Sequence, residues 1–204
     1  METKWAVENL QTIRNLMERS AVYRRTLAPI MLLAGVSGVA AAAGGLLFHL
    51  DSTTGFALLW LIAALIVVAG AFLIARQQAM RDKEPFWSPP TKRVAQAMLP
   101  SLTAGMIVGV TFVLGDVDLT LLLPLLWALF YGCALHAAGF FMPRGVRWFG
   151  WIYIALAGGG LCYLTAVNPN LDLSGHWVMG FFFGGLQLIY GAYLYLTERK
   201  TSSA

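Results

Sequence analysis

Long apolar runs alternate with short polar segments along the whole chain. Six runs stand out: Leu27–Phe48, Phe56–Ala75, Val94–Leu114, Leu119–Met142, Phe149–Val167 and Trp177–Leu196, and none contains Asp, Glu, Lys or Arg. Each is close to the ~20 residues that cross ~30 Å of hydrocarbon at ~1.5 Å per residue. Within lipid, backbone groups must bond inside their own segment, so runs this apolar are expected as helices. The pattern predicts an all-α polytopic membrane bundle of six transmembrane helices.

The polar segments orient it. All 14 Lys and Arg fall before the first run, between the second and third, between the fourth and fifth, or after the sixth. The three opposite loops hold Asp51, Asp116, Asp118 and Asp172 and no basic residue. The positive-inside rule then places both termini in the cytoplasm. The same distribution accounts for the net charge of +4 without nucleic acid. Arg24-Arg25 ahead of a run containing Ala41-Ala42-Ala43 resembles a secretory signal. The run is longer than a signal core of ~7–15 residues, so it is expected to stay as a helix.

Residues 1–26 form a separate cytoplasmic unit in this reading, 27–200 the membrane domain and 201–204 a short tail. Ala6, Leu10, Ile13, Met17 and Ala21 recur at helical spacing, which predicts an amphipathic helix with Trp5 near its start. It can lie on the membrane surface, pack under the bundle or hold a partner. The loop from Arg76 to Arg93 contains Phe86 and Trp87, followed by Ser88-Pro89 as a cap and first helical residue. Phe86 and Trp87 suit the interface and are also candidate docking residues.

Composition agrees with the pattern. The chain is 58% hydrophobic and 12% charged, against about 25% charged in soluble domains. Cys133 and Cys162 both lie in apolar runs, which argues against a structural disulfide.

An internal repeat is visible. Leu27-Ala28-Pro29 leads to Ala34-Gly35 and Met98-Leu99-Pro100 leads to Ala104-Gly105, while Trp60, Trp127 and Trp177 open the returning helices. The spans therefore group into three hairpins. This layout resembles the small six-helix inner-membrane proteins of bacteria, and is similar to that of the HdeD-like group. The resemblance carries no functional residue over. Gly105/Gly109 and Gly180/Gly184 are GxxxG pairs, and Gly35, Gly38, Ala42 and Gly45 line the first run. Such faces suit packing within the bundle, or a homo-oligomer.

Reactive chemistry is sparse. Cys133, His136 and Gln187 are the intramembrane polar candidates, with Cys133 and His136 on one helical face. At the outer ends, His49, Asp51, Asp172 and His176 are the residue types of a divalent metal site, although they come from separate loops. Only Cys133 with His136 qualifies by spacing as a nucleophile and base pair, and it lies at lipid depth; no phosphate loop or dinucleotide motif occurs, and no cofactor is expected. The expected function is non-enzymatic: a membrane-anchored regulator or accessory subunit acting through a protein partner. A small-solute or ion transporter or channel is the alternative.

Overall fold

The computed structural model describes residues 26–81, 89–115, 121–168, 171 and 173–202. The candidate residues Trp5, Leu10, Ile13, Met17, Phe86, Trp87 and Asp172 lie outside these. Among the described residues the chain is all-helical. Its helices are α1 (Thr26–Leu47), α2 (Thr53–Arg81), α3 (Pro89–Leu114), α4 (Leu122–Ala138) and α5 (Arg144–Ala166). A composite last helix follows: α6 (Gly175–Met179), a π-helical stretch (Gly180–Leu186) and α7 (Gln187–Ser202). Four single helices and the composite one are long and apolar enough to cross a membrane; α4 is the shorter exception.

Two boundaries differ from the expected ones, and a third, the start of α3, falls where the sequence places it. The fourth run ends as helix at Ala138, because Gly139–Met142 turns the chain toward α5. At 17 residues, α4 spans ~26 Å at about 1.5 Å per residue. Conversely α2 has 29 residues and runs ~44 Å, so Arg76 and Arg81 lie on a helix rather than in a loop. Helix α3 starts at Pro89, where a residue without N–H costs nothing.

Glycine sets the closest approaches. A Cβ on Gly38 would lie 2.2 Å from the Phe183 carbonyl oxygen, and one on Gly184 would meet Val39 at 2.9 Å. The small face of α1 and the Gly180/Gly184 pair are thus pressed against each other within one chain. Helices α4 and α5 meet in the same way, since a Cβ on Gly150 would sit 2.6 Å from the His136 amide nitrogen. Such approaches gain dispersion and carbonyl contacts, the forces left to helices when lipid is as apolar as Leu. Helix α4 is the hub, with Ala128, Ala134 and Ala138 fully buried. Helices α2 and α3 are peripheral and expose Leu61, Leu65, Val68, Met106 and Val110.

Candidate functional site

Two polar centres are built inside this frame. The first lies at the end where α1 leads into α2 and the last helix begins. Ser174 caps α6, its Oγ accepting from the His176 amide at 3.3 Å and donating to Asp51 Oδ1 at 3.3 Å. The cap turns His176 inward, where it has 0% exposure. Trp60 Nε1 of α2 donates to His176 Nδ1 at 3.2 Å, and His176 Nε2 donates to the Leu50 carbonyl at 3.1 Å. An acceptor Nδ1 beside a donor Nε2 is the neutral imidazole. Phe56 packs on the ring at a centroid distance of 4.9 Å. Gly45 makes the space, since a Cβ there would come 2.3 Å from the imidazole.

The described metal-ligand candidates His49, Asp51 and His176 are therefore not assembled, and Asp172 lies outside the described residues. Both nitrogens of His176 are occupied, and His49 sits exposed in the left-handed backbone region (φ 50°). Asp51 is exposed and engaged with Ser174. Among the described residues no group of three His, Cys, Asp or Glu side chains lies together.

The second centre is at mid-span. Gln187, 1% exposed, opens α7 directly after the π-helical stretch. Its Nε2 donates to the Tyr131 hydroxyl of α4 at 2.8 Å, while its Oε1 is buried without a partner. Tyr153 of α5, fully buried, donates its hydroxyl to the Phe182 carbonyl within the π-helical stretch. The ring of Tyr131 lies 5.3 Å from that of Tyr153, and 5.0 Å from that of Phe183. Bonding at i+5 widens the helix and draws Phe182 toward Tyr153; such bulges are frequent at functional sites. The sequence Gly180-Phe181-Phe182-Phe183-Gly184-Gly185-Leu186 gives no hint of this, since it reads as ordinary apolar helix.

His136 stands apart from Gln187. Its ring packs against Phe140 and Trp151 at 5.4 and 5.1 Å, with Nδ1 buried and unpartnered. Five residues on a helix place Tyr131 and His136 ~140° apart, so the two candidates do not face one path. Cys133 is half-buried and free, with no hydrogen bond to His136. The two GxxxG faces are both occupied within the chain. Trp127 Nε1 donates to the Gly105 carbonyl at 2.9 Å and its ring covers Gly109. Of the three repeat tryptophans, Trp60 and Trp127 bond across helices whereas Trp177 is exposed.

No family model, curated protein or solved structure matches the chain.

Proposed function

We propose that the chain is a six-span inner-membrane protein of three hairpins with both termini cytoplasmic, acting through a protein partner rather than by catalysis. Support for α4 as the sixth span comes from its place. It lies between α3 and α5, two helices of spanning length, and packs closely on both. A helix enclosed in this way shares their depth. The observation that carries the functional reading is the closure of the interior: Gln187 and His176 are turned inward and covered by neighbouring rings. A bundle so filled serves as a scaffold. The cytoplasmic N-terminal segment and the 76–93 region are then the surfaces for a regulator or accessory partner.

A photo-crosslinking residue at Met17 or Phe86 in intact membranes tests this. One adduct of defined mass is expected from both sites, and the Phe86 adduct should be lost when residues 2–22 are deleted. An adduct unaffected by the deletion, or none at all, removes the partner reading. The alternative, a small-solute or ion transporter or channel, draws on the π-helical stretch beside the unpaired Gln187 Oε1. Solute flux in proteoliposomes that Gln187→Ala alters would favour it.

A further inference from the structure

The turn from α4 to α5 leaves two arginines and two tryptophans on one face of α5. Arg144, Arg147, Trp148 and Trp151 recur at spacings of three and four, so they share a helical stripe. Arg144 is exposed, and the Arg147 guanidinium stands 5.3 Å over the Phe140 ring. Neither α4 nor α5 contains an Asp or Glu, so neither arginine meets a carboxylate on its own or the adjoining helix. One turn deeper, Trp148 and Trp151 project outward, 67% and 50% exposed. His136 backs Trp151 and fixes the floor between the two helices.

The stripe then changes character. Ala155, Gly158, Gly159 and Cys162 continue it along α5. A Cβ added at Gly158 or Gly159 would meet nothing within 4 Å. Glycine inside a helix is less stable than alanine, and no neighbour among the described residues requires it here. Below the tryptophans the helix surface is thus a shallow trough.

We propose that this stripe binds one anionic phospholipid, its phosphate on Arg144 and Arg147 and an acyl chain in the trough over Gly158 and Gly159. The order along the helix is the order within a lipid: cationic donors at the boundary, amphipathic rings at the glycerol level, then bare backbone at acyl depth. A guanidinium pair suits a phosphodiester, and the trough distinguishes a lipid from free phosphate. The site rests on α4 and α5 crossing a membrane. It does not depend on which side is cytoplasmic or on any protein partner, so failure of either leaves it intact.

Native mass spectrometry of the full chain in neutral detergent tests it, with phosphatidylglycerol and phosphatidylcholine supplied in equal amounts. Phosphatidylglycerol adducts should exceed phosphatidylcholine adducts roughly tenfold. Arg144→Gln with Arg147→Gln should bring the two to parity, while Arg76→Gln with Arg81→Gln leaves the preference unchanged. Gly159→Leu fills the trough on an open face, where folding is not at stake. It should lower phosphatidylglycerol occupancy severalfold. Unchanged occupancy in Gly159→Leu, or unchanged preference in the arginine pair, overturns the proposal. Displacement of the lipid by millimolar inorganic phosphate also overturns it, as a simple anion site.

Discussion

The amide of Gln187 is satisfied at one end only. Nε2 donates to Tyr131, while Oε1 is buried with no donor. A net hydrogen bond contributes about 1 kcal/mol, whereas a buried orphan costs about 1–3 kcal/mol. Replacing Gln187 by an apolar side chain of similar length removes the orphan Oε1 but leaves the buried Tyr131 hydroxyl bare, so one orphan takes the place of another. Gln187→Met should therefore change stability by less than about 1 kcal/mol, whereas Tyr131→Phe, which orphans both ends of the amide, should lower it by about 1–3 kcal/mol. Unfolding in mixed micelles measures both, and a loss in Gln187→Met comparable to Tyr131→Phe would show that Oε1 is held by a donor. Trp60 is the opposite case, because each atom of its pair with His176 is satisfied. Trp60→Phe keeps a ring but leaves Nδ1 buried and bare, at an expected cost of about 1–3 kcal/mol by the same assay. Neither pairing was readable beforehand. His176 lies 116 residues from Trp60 and at a helix start, where polarity suggests solvent or a metal. Burial came from the Ser174 cap and the absent Cβ at Gly45, which are facts of packing and not of pattern.

Between helices, the same substitution should have opposite signs at two glycines. On Gly38 a Cβ would intrude to 2.2 Å from the Phe183 carbonyl, so α1 and the π-helical stretch must separate. Gly38→Ala should destabilise by about 1–3 kcal/mol, the usual range for overpacking. A Cβ on Gly159 meets nothing within 4 Å among the described residues, and Gly159→Ala should stabilise by about 0.5–1 kcal/mol through the helix backbone alone. Denaturation midpoints of the two variants in one detergent decide the matter; equal signs would mean that α1 does not lie against the last helix as described. Small-residue faces were visible in the sequence, and their spacing named the right residues. What spacing cannot supply is the partner: α1 faces the π-helical stretch, and Gly105/Gly109 faces Trp127 of α4. The end of α4 was hidden for a related reason. Gly139–Met142 is as apolar as the helix before it, because a turn packed on Arg147 and α5 needs no polar signal.

For the whole molecule, hydropathy and charge speak to different questions. Apolar length marked every described helix, since a lipid-facing surface has no polar face to confuse the pattern. Helices α2 and α3, exposed along most of their length, carry the cleanest runs. Charge must decide the rest, because a bundle of parallel and antiparallel helices looks alike from either side. One end gathers Asp51, Ser174 and His176, and the other the α4–α5 turn with Arg144 and Arg147. The first end carries no Lys or Arg in its loops, and on the orientation proposed above it faces the outside. Single cysteines in a background lacking Cys133 and Cys162 make this measurable. A membrane-impermeant maleimide added to intact cells should label Asp51→Cys and not Gly145→Cys, and permeabilised cells should reverse the exclusion of the latter. Labelling of both from one side would mean that an odd number of helices crosses, with α4 the first to be reconsidered because it spans only ~26 Å. Labelling of Gly145→Cys alone would keep six spans and invert them. In that case the arginine stripe of α5 would face the outer leaflet, and the N-terminal segment could no longer meet a cytoplasmic partner.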